Sequence, residues 1–376
     1  MNPLPFTDAS FQQAIRRRTF LQGSGLGLGQ LALATLWGDD AVSAERASSA
    51  QSSPVPHLPA RAKRVIHLYM AGGPSHLESF DPKPELKKLH GQPFPDSFTR
   101  GQQLAQLQNT QLLAQGPFCN FRKHGVSGQE VSEIFPHLAH IADDLCIIRS
   151  MQTEQINHDP AHAFMNSGSI IKGRPSYGSW LLYGLGAETD ELPGFVVLSS
   201  VGGSGGAQPI SARQWSAGFL PSRYQGIKFH ARGDAVHYLG NPAGVCQSLQ
   251  RQVIDEIQHL NGLAARERMD PEIETRMAQY ELAFRMQTSV PELADLSREP
   301  ESILELYGVE HPGDGSFASN CLMARRLAER GVRCIQLYHR GWDHHGDIAQ
   351  AMPLAAREVD RASAALVSDL KQRGML

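Results

Sequence analysis

Four apolar, β-rich runs punctuate this chain, at 64–70, 145–150, 195–200 and 332–338, and each opens into a segment holding Gly, His, Asp or Ser. Stretches with apolar residues at helical spacing lie between them. Nearly continuous apolar strands alternating with helices specify a mostly parallel sheet covered by helices on both faces, which is an α/β fold. In open sheets of this kind, ligands bind just outside the carboxyl ends of the strands. Chemistry is therefore expected in the segments that follow the runs.

The fourth run, Val332 to Tyr338, is followed by His339-Arg340-Gly341-Trp342-Asp343-His344-His345-Gly346-Asp347, with three imidazoles and two carboxylates in nine residues. Asp and His are common ligands of zinc and other divalent ions. Asp343, His345 and Asp347 are candidate metal ligands; the bland alternative is a solvated loop that Trp342 docks on the core. His344 is expected to point away from whatever His345 faces, because neighbours in an extended loop alternate. The first run, Arg64 to Met70, opens into Gly72-Gly73-Pro74-Ser75-His76-Leu77-Glu78-Ser79-Phe80-Asp81. Its glycines would permit close backbone approach to a ligand. His76 and Asp81 are further metal-ligand candidates and Ser75 and Glu78 further polar ones; the alternative is a tight turn.

After the second run, Leu145 to Ser150, a helix is expected with Asp159 as cap, Pro160 at its first position and a stop near Gly168. His158 is the candidate catalytic residue and Asn157 a neighbouring polar candidate. His158 and His162 are one helical turn apart and share a face. His162 then either joins a metal or anion site or is a satisfied, half-buried histidine. The third run, Phe195 to Ser200, leads into Gly202-Gly203-Ser204-Gly205-Gly206, which lacks the Lys-Ser/Thr of a phosphate loop and reads as a flexible loop.

The remaining elements are helical: Ile134 to Ala142, a pair over 245–290 broken near Asp270-Pro271, Ser319 to Arg330 ended by Gly331, and Ala349 to Arg373 ended by Gly374. In the pair, Val253, Ile257 and Leu260 recur at helical spacing, as do Met277, Tyr280 and Phe284. Residues 85–130 form an excursion. Two residues follow Gly374, and they look like the approach to another strand, so the fold is expected to be incomplete at the C-terminus.

With 376 residues, 41% of them hydrophobic, the chain can bury a large core. Its formal net charge is −3, so no basic surplus points to nucleic acid, and no apolar run is long enough to span a bilayer. Cys119, Cys146, Cys246, Cys321 and Cys334 show no CxxC spacing, and Cys146 and Cys334 are expected to be buried free thiols. Arg16-Arg17-Arg18-Thr19-Phe20-Leu21, a weakly apolar stretch and Val42-Ser43-Ala44 resemble a twin-arginine export signal over 1–44. A flexible linker over 45–62 and a domain over 63–376 complete the expected order. The location implied is periplasmic or otherwise extracytoplasmic.

Together these motifs resemble the exported bacterial family called domain of unknown function 1501, a sulfatase-like branch of the alkaline phosphatase superfamily. The residues that carry the resemblance are Arg17 to Leu21, Met70 to His76 with Phe80 to Pro84, His158 with Gly168, and Gly341 to His345. The resemblance implies an alkaline-phosphatase-like core and a two-metal site for hydrolysing sulfate or phosphate esters, with zinc first and calcium, magnesium or manganese as alternatives. The implied partners are a small-molecule or glycan ester substrate and the twin-arginine machinery. The alternative is a non-catalytic exported binding or cell-surface protein that keeps the fold. Two departures matter. A further acidic-aromatic motif and Asp-His pair of the family are not found before residue 376, so weak or no catalysis is expected of this chain. The helix start reads Asn157-His158-Asp159 where a Ser, Thr or Cys nucleophile is expected, so hydrolysis would need water activated by a metal.

Overall fold

A computed structural model describes residues 61–101, 111–153, 155–200, 208, 210–237 and 239–376. The export signal, nearly all of the linker and the 202–206 glycine loop lie outside these residues. Ala62–Leu376 forms one compact unit.

Three of the four apolar runs are strands: β1 (Val65–Met70), β4 (Phe195–Ser199) and β6 (Cys334–His339). A two-residue strand, β5 (Ile227–Lys228), completes a parallel sheet in the order β1-β6-β4-β5. Every residue of β6 is buried, as a central strand with both faces covered requires. The two-residue side-chain period divides it between two cores. Ile335 and Leu337 pack with the larger cluster, while Cys334 and Tyr338 join Tyr69, Phe195, Val197 and Trp215 on the other face. Burying Ile335 and Leu337 stabilises by roughly 1.5–3 kcal/mol each.

A hairpin of β2 (Phe121–His124) and β3 (Gln129–Ser132) forms the second sheet, starting inside the expected excursion and ending two residues beyond it. The named helices are α1 (Pro136–His140), α2 (His158–Ser167), α3 (Tyr177–Leu185), α4 (Gln247–Arg268), α5 (Pro271–Ala294), α6 (Glu301–Tyr307), α7 (Phe317–Glu329) and α8 (Ile348–Gln372). Ser316 caps α7 by accepting from the Ser319 N–H, and Asp270 caps α5 by accepting from the Glu272 N–H. Small and apolar residues of α8, among them Ala355, Ala356, Val359, Ala362 and Leu366, pack in the larger core with α7. Asp360 of α8 accepts the His137 and Leu138 N–H groups at 2.8 Å each and so ties down the start of α1.

An ion network joins α7 to α8. The Arg325 side chain, 3% exposed, meets Glu299 at 2.5 Å, Glu329 at 2.6 Å and Asp369 at 3.2 Å. Arg326 adds a contact to Glu299, and Arg373 contacts both Glu329 and Asp369. Three guanidinium groups thus balance three carboxylates.

The second run, Leu145 to Ser150, is not a strand, and Cys146 is exposed; Cys334 is buried, and no described cysteine forms a disulfide. The Leu145 carbonyl is taken by the Gln129 side chain at 2.7 Å, and Arg149 reaches out to the Phe80 carbonyl at 2.8 Å. Helix α2 starts at His158, two residues before the expected position. The first turn of a helix leaves its N–H groups unpaired, so Pro160 is tolerated at the third position as well as at the first. In α4 the buried apolar residue is Ile254, while Val253 and Leu260 are exposed.

Candidate metal site

Sheet and helix bring three donors together. His158 stands in the first turn of α2, and Asp343 and His345 follow the carboxyl end of β6. His158 Nε2 lies 2.8 Å from Asp343 Oδ2, and His345 Nε2 lies 2.9 Å from Oδ1 and 3.0 Å from Oδ2. One ligand atom from each residue fits within 4.8 Å of the others. A carboxylate only accepts, so these contacts require a proton on each Nε2, which a divalent ion bound at those nitrogens would displace. The side chains of His158, Asp343 and His345 are 38%, 28% and 72% exposed, which leaves the group open to solvent on the His345 side.

The loop that carries Asp343 is held rigidly. The β1–β6 ladder runs past both strands, since Ala71 N–H donates to the His339 carbonyl at 2.7 Å and Trp342 N–H to the Ala71 carbonyl at 3.2 Å. Trp342 is buried, and its indole N–H donates to His339 Nδ1 at 2.9 Å. His339 therefore keeps its proton on Nε2, which faces Glu358 Oε2 at 2.9 Å. Gly341 N–H donates to Gln208 at 2.9 Å. Gly72 has a φ of +120°, and a Cβ there would sit 2.5 Å from the Asp343 nitrogen and 2.6 Å from the Trp342 carbonyl carbon. The glycine's close approach is thus to the backbone of the site loop, where the sequence reading expected a ligand.

Helix α2 turns a polar stripe toward the sheet. One turn below His158, His162 is buried, and its Nδ1 lies 2.8 Å from the Tyr69 hydroxyl. Burial, followed by the neighbouring charge on His158, lowers its pKa to about 4. A further turn along, Asn166 Oδ1 accepts from Tyr338 at 2.9 Å and also from Gln336. His162 Nε2 has no hydrogen-bond partner. Asp159 faces the other way and pairs with Arg213 and, at 3.4 Å, with Lys172.

The other candidates do not join the triad. His76 is exposed and 4.0 Å from Asp81, which is bound instead by Lys83 at 2.8 Å. The Lys83 ammonium holds the Asp81 carboxyl below its ordinary range. Glu78 is buried in a short 3-10 turn, with Oε2 unpaired, and Ser75 precedes that turn. Asn157 precedes α2 without a side-chain cap bond. Asp347 precedes α8 in the left-handed conformation, φ 48°, and is not among the grouped donors. His344 packs edge-on to Trp342 and is not among the grouped donors. Asn166, Lys172 and Arg213 were not singled out from the sequence. Of these, Asn166 had a readable signal, as the third member of an i, i+4, i+8 polar stripe.

Two imidazoles and one carboxylate make a donor set suited to zinc, which in catalytic sites takes three protein ligands and leaves one position open. No described helix is long and apolar enough to cross a membrane. Residues 62–376 match the family described as protein of unknown function (DUF1501). No curated protein and no solved structure matches the chain.

Proposed function

The chain belongs to the DUF1501 family, and from that premise we propose that it is a metal-dependent hydrolase of phosphate or sulfate esters on an alkaline-phosphatase-like fold. The observation that carries the proposal is the convergence of His158, Asp343 and His345 just beyond the carboxyl end of β6. These three residues would hold one divalent ion, zinc first. Such an ion supplies Lewis-acid polarisation of an ester oxygen and of the attacking water. Asp343 positions both imidazoles. Water is the nucleophile in this reading, because the helix start offers Asn157 and His158 where a hydroxyl or thiol would otherwise stand. The arginines at 16–18 support action outside the cytoplasm.

Zinc titration with metal analysis tests the proposal, alongside turnover of aryl phosphates and aryl sulfates. One zinc per chain is expected. Asp343→Ala should weaken zinc by more than the about 10–100-fold that a residue merely supporting a ligand commands. It should abolish turnover. Zinc bound without turnover of either ester class would favour a binding protein that keeps the fold. Equal zinc affinity in Asp343→Ala would remove the triad from consideration.

A further inference from the structure

At the opposite end of the sheet, where β4 and β5 begin, a cavity of about 590 Å³ opens between α3, α5 and residues 222–227. That volume lies within the roughly 300–1,000 Å³ of small-ligand sites. Tyr224 lines it, and an aromatic ladder leads away from Tyr224 over the surface. The Tyr183 ring lies 5.5 Å from Tyr224, Trp180 is 5.8 Å from Tyr183, and Phe219 is 5.8 Å from Trp180, all edge to face. Trp180, Tyr183 and Phe219 are 43%, 55% and 57% exposed. Single exposed apolar side chains are ordinary, but a contiguous aromatic group leading into a cavity marks a binding surface.

The polar lining selects among ligands. Gln225 and Gln279 are planar amides that both donate and accept hydrogen bonds. The charged groups cancel, since Asp190 and Glu281 are matched by Arg223 and Arg285, and Glu281 already pairs with Arg285 at 3.1 Å. Leu182, Leu192, Ile227 and Leu282 supply apolar surface beside these polar groups. A neutral chain with apolar CH faces and closely spaced hydroxyls meets both the rings and the planar polar groups. We propose that this cavity and its aromatic ladder bind a neutral oligosaccharide, at a site separate from the His158–Asp343–His345 triad. Tyr and Trp suit this role because each offers a flat apolar face and a polar edge.

The test is calorimetric titration of the full chain with hexasaccharides of β-1,4-glucose, β-1,3-glucose, α-1,4-glucose and β-1,4-mannose. A sulfated hexasaccharide and phosphatidylcholine vesicles serve as contrasts. At least one neutral hexasaccharide should bind. Trp180→Ala and Tyr183→Ala are exposed substitutions that should leave the melting temperature and the zinc content unchanged. Each should weaken sugar binding by about tenfold, the scale of losing one aromatic contact and its buried area. Phe219→Ser is the substitute if Trp180→Ala does not fold. No binding of any neutral hexasaccharide at millimolar concentration would overturn the proposal. So would binding undiminished in these variants, or a preference for the sulfated sugar or the vesicles.

Discussion

Burial of His162, with His158 beside it, sets a pH dependence that can be measured. Its pKa falls from an ordinary 6.5 to about 4 on folding. Between those values the unfolded chain binds a proton that the folded chain refuses, so stability rises with pH. The contribution is complete above about pH 6.5 and lost as pH falls toward 4, and its ceiling is on the order of 3 kcal/mol. Urea unfolding at pH 4.5 and 7 should show a larger difference for the native protein than for His162→Gln. Equal differences would show that this ring does not govern the window. At this scale the sequence was partly readable. The spacing of His158 and His162 announced a shared helix face, and the density of donors around Asp343 announced the group that gathers there. Gly72 was readable only as a permissive residue, because the backbone it must clear, that of Trp342 and Asp343, is about 270 positions away in the chain.

Among the elements, the ion network between α7 and α8 is the most exposed to single substitutions. Arg325→Ala leaves Glu299, Glu329 and Asp369 short of a cation in a buried setting, and should cost about 3–5 kcal/mol. Arg325→Lys should cost less but still register, since a point charge cannot serve three carboxylates in the way a guanidinium fork does. Denaturant midpoints of the two variants check the order, and an Arg325→Ala midpoint equal to the native one would contradict it. Strands β4 and β6 were legible because burial on both faces demands unbroken apolar runs, and the edge strand β1 because its partly buried run is still largely apolar. The same signal misled at Leu145 to Ser150, where most of the run is exposed and a carbonyl is taken by Gln129. An apolar run shows that a segment could pair, but a free neighbouring strand must also be there to receive it. Strand β2 was missed for the opposite reason, since Arg122, Lys123 and His124 give it no apolar alternation.

In the molecule as a whole, stability is distributed unevenly. Helix α4 leans chiefly on α5, buries only Ile254 fully, and leaves Leu249, Val253, Leu260 and Leu263 exposed. Helix α7 and strand β6 lie in the core. Amides of α4 should therefore exchange with solvent through an opening that costs less than global unfolding, by on the order of a few kcal/mol. Hydrogen exchange read by mass spectrometry should show α4 labelled well before β6, and simultaneous labelling would mean a single cooperative unit.

The strand order has a further consequence, one of timing. Strand β6 is the last of the four to be synthesised, yet it lies between β1 and β4. As the chain leaves the ribosome, β1 and β4 have emerged without the neighbour that joins them, and β6 must enter between two strands already waiting. His158, likewise, precedes its partner Asp343 by 185 residues. Sheet and donor group can thus be completed only after β6 and the loop beyond it have emerged, and until then β1 lacks its neighbour and β4 has only the two residues of β5 beside it.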